Sequence, residues 1–148
     1  MSVLLQGKMG AGKTTLRVAL LYFLAVFAAG FVLGTIRVLL LVDVLGERLA
    51  ELVEMPVMAV VCALAAKYLI KRNIKELTAT GAVLVGLMAL AILLLFEFTV
   101  VLWLRDIPLS EYIANRDPVS GIAYLVGLAW YSVAPLLFYQ YHLRHAPE

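Results

Sequence analysis

The chain has 148 residues, 64% of them hydrophobic and 15% charged, with a mean hydropathy of +1.00. Soluble domains are about 45–50% apolar and roughly 25% charged, so this composition excludes a disordered chain, a nucleic-acid-binding tail and an ordinary water-soluble globule. The 12 Lys+Arg nearly balance the 10 Asp+Glu, so charge acts here through position rather than total.

The first 17 residues form a basic arm with Lys8, Lys13 and Arg17. Within it, Gly7-Lys8-Met9-Gly10-Ala11-Gly12-Lys13-Thr14 matches G-x-x-x-x-G-K-[ST]. In that motif backbone N–H groups cradle phosphates, the lysine reaches the β/γ-phosphates and the hydroxyl binds Mg²⁺. The cradle needs a strand before the loop, a helix after it and a sheet that supplies a further Mg²⁺ carboxylate. Residues 2–6 offer one short strand at most, and no partner strands follow. The expectation is a flexible cytoplasmic arm, with Thr14 or Thr15 capping the first helix and no nucleotide partner.

Four apolar runs follow, at 18–42, 55–70, 77–104 and 119–143. About 20 apolar residues cross a ~30 Å hydrocarbon core as a helix. The second run is short and holds Lys67, so it spans only with Glu51 and Glu54 near its entry. The predicted fold is an all-α integral membrane bundle of four transmembrane helices, at about 18–42, 50–70, 77–104 and 118–141. These make one domain over 18–143, followed by a short cytoplasmic tail, 144–148. Lysine and arginine set orientation. Lys67, Lys71, Arg72 and Lys75 crowd the second connection, and Arg144 follows the last span. Asp43, Glu47, Glu51 and Glu54 dominate the first connection, and Asp106, Glu111 and Asp117 outnumber Arg105 and Arg116 in the third. Both termini are therefore expected in the cytoplasm, and dual topology is not expected.

Local signals agree with this layout. Asp117-Pro118 is an N-cap followed by proline at the first helical position. Pro135, well inside the last helix, is expected to kink it and to free a carbonyl that a neighbour must satisfy. Residues 108–116 are expected to hold a short interfacial helical turn, with Leu109, Tyr112 and Ile113 toward lipid. Trp103, Tyr112, Tyr139 and Tyr141 fall at interfacial belt positions.

Ionisable groups inside spans are expensive and become functional candidates. Counting 1.5 Å per residue from the nearest terminal charge puts Arg37, Glu54, Glu97 and Tyr124 each roughly 9–12 Å inside its helix. One polar group per helix would then share a layer near the outer face. One carboxylate can pair with Arg37, leaving the other to carry a proton. Glu97 is the choice for that role, because no charge lies near it on its own helix. Glu47, Glu51 and Glu54, spaced i, i+4, i+7, form an acidic stripe leading from the surface to this layer. The candidate ion- or substrate-binding residues are thus Glu97, Glu54, Arg37, Tyr124 and Glu51. In the structural alternatives Arg37 snorkels, or pairs with Glu97 as helix-packing glue, and Tyr124 is hydrogen-bonding glue.

The remaining motifs carry less. Gly30 and Gly34 form a GxxxG, and Gly121 and Gly127 thin the last helix, which favours close packing within or between copies. His142 and His145 are too few for a structural metal site and too near the end of the chain to ligate a haem in the membrane. Cys62 has no partner for a disulfide. No Ser-His-Asp set, CxxC or HExxH occurs, so neither an enzyme nor a cofactor is expected.

Two stretches, Gly34-Thr35-Ile36-Arg37 running to Gly46-Glu47-Arg48-Leu49-Ala50-Glu51-Leu52-Val53-Glu54-Met55-Pro56, and Leu109-Ser110-Glu111-Tyr112-Ile113 with Arg116-Asp117-Pro118-Val119-Ser120-Gly121, carry a likeness over most of the chain. The chain resembles a group of small four-span proteins of bacterial inner membranes that has no assigned activity. The resemblance implies only that setting. The functional expectation from the residues is a small proton- or cation-coupled carrier or channel, built as a homo-oligomer. The alternative is a non-catalytic subunit or assembly factor of a larger membrane complex.

Overall fold

The computed structural model describes residues 2–146, with the side chains of 2–5, 101 and 105 left aside. Met1 of the expected arm and Pro147 and Glu148 of the expected tail lie outside the described residues. Helix α1 runs over Ser2–Ile36, passes through a π-helical turn, Arg37–Leu41, and finishes in an α-helical turn, Val42–Leu45. Helix α2 spans Glu47–Asn73. Helix α3 runs over Ala79–Phe96 and continues through a second π-helical turn, Glu97–Val101, into Leu102–Arg105. A short α4, Leu109–Ala114, precedes α5, Pro118–Arg144. No strand occurs among the described residues.

Four of these helical stretches, Gln6–Leu45, Glu47–Asn73, Ala79–Leu104 and Pro118–Arg144, are long and apolar enough to cross a membrane. Three of them are wider than their apolar runs, and the third starts two residues inside its run, at Ala79. The extension is greatest at the N-terminus, where the expected flexible arm is helical from Ser2 and the possible strand over 2–6 is absent. The phosphate-loop match therefore lies along a continuous helix rather than in a loop. Thr14 and Thr15 do not cap a helix, because the helix begins a dozen residues earlier. Thr14 instead donates to Glu76 Oε2 at 2.7 Å, and Thr15 donates back to the Ala11 carbonyl at 2.8 Å.

Helix termini follow capping chemistry. Asp117 accepts from the Ser120 amide at 2.9 Å with Pro118 in the first turn, as the sequence suggests. Thr78 does the same for α3 through the Gly81 amide, at 3.0 Å. Between α1 and α2 the chain reverses at one residue, Gly46, whose φ of 76° and ψ of 163° suit glycine almost alone.

Helix α1 packs against α2 and α3, and α5 packs against the same two. The consecutive helices α2 and α3 therefore lie across the bundle from each other. The apolar core fills the half that carries the lysine-rich ends, around Val18, Tyr22, Ile70, Val85 and Tyr131. Two contacts set its dimensions. Gly86 of α3 approaches the α5 backbone so closely that an added Cβ would lie 1.8 Å from the Ser132 carbonyl oxygen. Tyr22 stacks on Tyr131 with ring centroids 4.7 Å apart and donates to the Tyr131 carbonyl at 2.7 Å. That carbonyl lies four residues before Pro135, so it is the one proline leaves without its helical donor. The neighbour demanded by Pro135 is thus Tyr22.

Aromatic placement departs from expectation at two positions. Tyr139 is buried and donates to the Leu77 carbonyl at 3.3 Å, so it serves the core rather than a belt. Tyr112 turns back to bond Arg116, while Leu109 and Ile113 of the same short helix stay exposed. Trp103 and Tyr141 are exposed, as belt residues would be.

Candidate functional site

Beyond the apolar half, the bundle changes character. From Phe27 to Val60 and from Leu90 to Gly127, Ala50 and Ser120 are the fully buried residues described, and polar groups fill the helix interfaces instead. The five candidate residues separate into two centres.

The first joins α1 and α2. Arg37 Nη1 lies 2.9 Å from Glu51 Oε1, and Arg37 Nε lies 3.0 Å from Glu54 Oε2. The side chains keep only 25%, 17% and 16% of their exposure, so this is a mostly desolvated triad with one net negative charge. The Nε–Glu54 contact is ionic without hydrogen-bond alignment, since neither atom has a hydrogen-bond partner. The reversal at Gly46 makes the centre possible, because it folds the acidic face of α2 back onto α1. Glu51 and Glu54 both turn inward from the stripe, whereas Glu47 stays exposed at its outer end. Arg37 therefore pairs with α2 and not with Glu97. A shallow surface groove along α1 is lined by Gly30, Phe31, Gly34, Thr35 and Arg37.

The second centre joins α3 and α5. The Tyr124 hydroxyl donates to Glu97 Oε2. No described cation lies within ion-pairing distance of Glu97. The Arg116 guanidinium sits over the Tyr124 ring, 4.4 Å from its centroid, and donates to the Tyr112 hydroxyl at 3.0 Å. A cation over an aromatic face is attracted by the ring quadrupole, so Arg116 holds the phenol that holds the carboxylate. The expected single layer is thus two interhelical centres, one ionic and one a carboxylate–phenol pair.

Sequence reading missed Arg116 and Tyr112 as members of this network, although their i, i+4 spacing was a usable signal. It also missed the bridge that ties α2 to α5 at the acidic end, where Arg48 Nε donates to Asp117 Oδ1 at 2.9 Å. Sixty-nine residues separate the two, and no local pattern announces the contact. The Arg48 hydrogen bond, followed by the Ser120 amide, holds the Asp117 carboxyl below the usual carboxylate range.

The other motifs take structural places. Of the GxxxG pair, Gly34 faces open space and Gly30 meets only the Met58 side chain at 3.4 Å. His142 and His145 each bond a backbone carbonyl, of Lys67 at 3.3 Å and of Tyr141 at 2.9 Å. Among the described residues no cluster of His, Cys, Asp and Glu is assembled as a metal site. No protein family, curated protein or solved structure matches the chain.

Proposed function

We propose that the protein is a small multi-pass carrier or channel coupled to protons or small cations, with Glu97 as the proton-bearing group. The observation that carries this reading is the division of partners. Arg37 is satisfied by Glu51 and Glu54, while among the described residues Glu97 has a phenol in place of a cation. A carboxylate retained only as packing glue would gain most from the arginine, because an unpaired charge away from water is costly. The net negative charge of the Arg37–Glu51–Glu54 triad, with Glu47 exposed at its outer end, favours the approach of cations. The Lys/Arg bias supports a cytoplasmic side for the lysine-rich ends and both termini, and the resemblance suggests a bacterial inner membrane. Four helices packed this tightly enclose little space, so the pathway forms between protomers of a homo-oligomer.

One observation favours a second reading, that of a non-catalytic subunit or assembly factor. The lysine-rich half is closed by Gly86 against Ser132 and by the stacked tyrosines, as suits a scaffold.

The test is flux into proteoliposomes carrying an internal pH dye. Wild-type protein is expected to dissipate an imposed pH gradient, and Glu97→Gln to abolish this while keeping its helical signal and elution volume. Flux equal to that of empty liposomes, or unchanged flux in Glu97→Gln, overturns the carrier reading. Co-purification with a larger complex then takes its place.

A further inference from the structure

The lysine-rich end of α1 carries a second feature that the charged centres leave unexplained. A shallow, open depression on its outer face is lined by Lys13, Leu16, Arg17, Leu20 and Leu21. The helical period puts Lys13, Arg17, Leu20 and Leu24 in one row, at i, i+4, i+7 and i+11. All three row members below Lys13 are exposed, as are Leu16 and Leu21 on the flanks. The row is therefore cationic at one end and wholly apolar for the remainder, over roughly 16 Å of helix.

Arg17 is held in place from the other side. Its Nη2 donates to the Asn73 side-chain oxygen at 2.9 Å, and buried Asn73 is fixed by its own bond to the Leu69 carbonyl at 2.8 Å. Glu76 stands 3.9 Å from the same nitrogen and takes the Thr14 hydroxyl at 2.7 Å. The protein thus uses one nitrogen of the guanidinium, and Lys13 has no acidic partner among the described residues.

We propose that this depression is a binding site for one anionic phospholipid, with the headgroup phosphate between Lys13 and Arg17 and an acyl chain along Leu16, Leu20 and Leu24. The charge pattern selects the occupant. A zwitterionic lipid gains less from two adjacent cations, a free phosphate leaves the leucines bare, and an apolar helix leaves the cations unmatched. The site rests on the reading that α1 crosses a bilayer with its lysine-rich end at the cytoplasmic surface, and it is independent of any flux through Glu97.

Native mass spectrometry of the full chain, released from nanodiscs of equal phosphatidylglycerol and phosphatidylcholine, reads the site directly. The wild type is expected to retain one phosphatidylglycerol in preference to phosphatidylcholine. Lys13→Gln is expected to reduce that retention about fivefold, the loss of one headgroup cation. Lys8→Gln is the control, because Lys8 lies outside the depression on the same helix and Gly7 beside it has nothing within 4 Å. Equal retention of the two lipids overturns the proposal. So does an equal loss in Lys8→Gln, which would mean a diffuse surface charge. Displacement of the bound lipid by millimolar inorganic phosphate overturns it too, since a phosphate site would not need the leucines. A carrier defect in Glu97→Gln leaves this readout untouched, so the two readings fail separately.

Discussion

Arg37 and Glu97 each stand at the first position of a π-helical turn, Arg37–Leu41 in α1 and Glu97–Val101 in α3. In the first, the Val42 amide reaches back five residues to the Arg37 carbonyl. Such turns are rare and concentrate at functional sites, because the extra residue re-aims the side chains around it. Here the two long helices each widen where they deliver the one charged side chain of their apolar run to a neighbour.

The ionic centre predicts a specific pattern of loss and rescue. Arg37→Met leaves Glu51 and Glu54 facing each other without a cation and is expected to destabilise the fold by about 3 kcal/mol. The triple change Arg37→Met, Glu51→Gln, Glu54→Gln removes the stranded charge and is expected to recover most of that loss. Unfolding in mixed detergent micelles measures both. A triple variant no more stable than the single one would show that the charges are not coupled.

Close approach at Gly86 predicts an asymmetry among glycines. Gly86→Ala forces α3 and α5 apart against the Ser132 carbonyl and is expected to cost about 3 kcal/mol. Gly34→Ala, with nothing within 4 Å of the new methyl, is expected to be neutral or to stabilise by about 0.5 kcal/mol through helix propensity. Thermal melts of the two variants side by side decide the point.

Tyr22 and Pro135 are expected to be coupled through a carbonyl that belongs to neither. Tyr22→Phe strands the Tyr131 carbonyl and should cost about 1 kcal/mol. In a Pro135→Ala background the helix regains the amide that bonds this carbonyl, and the same change should cost less than half as much. A double-mutant cycle reads the difference.

Acid should release the Asp117 contacts in a defined direction. The carboxyl is held below its ordinary value of about 3.9, so the folded state favours the ionised form. Its contribution is complete above that ordinary value and is lost as pH falls through the lower folded one. Protection of the Ser120 amide, corrected for the intrinsic pH dependence of exchange, should therefore fall as pH drops through the lowered Asp117 value. Asp117→Asn, which keeps an acceptor for the cap but loses the charge facing Arg48, should weaken the α2–α5 contact at neutral pH as well.

The four helices and the Asp117 cap were legible because hydropathy, length and capping chemistry act locally. That Glu51 and Glu54 share one helix face was legible from i, i+3 spacing, whereas their joint pairing with Arg37 was not. Which helix would face which was not. A helix apolar all round has no polar face to fix its rotation, so hydrophobic pattern leaves α3 free to turn. Its orientation follows instead from the Gly86 contact and the Tyr124 hydroxyl, both of which pair residues distant in sequence. The helical start at Ser2 was obscured by three glycines, Gly7, Gly10 and Gly12, which weaken helix propensity without forbidding the helix.

The reversal at Gly46 also bears on how the chain enters a bilayer. A lone first helix would carry Arg37 into hydrocarbon unaccompanied. The glycine hinge brings Glu51 and Glu54 alongside it within fewer than twenty residues of synthesis, so on the proposed reading of α1 and α2 as spans they insert best as one antiparallel pair. A ribosome stalled just after α1 would leave that helix reluctant to integrate, whereas one stalled after α2 would release a hairpin whose arginine is already matched.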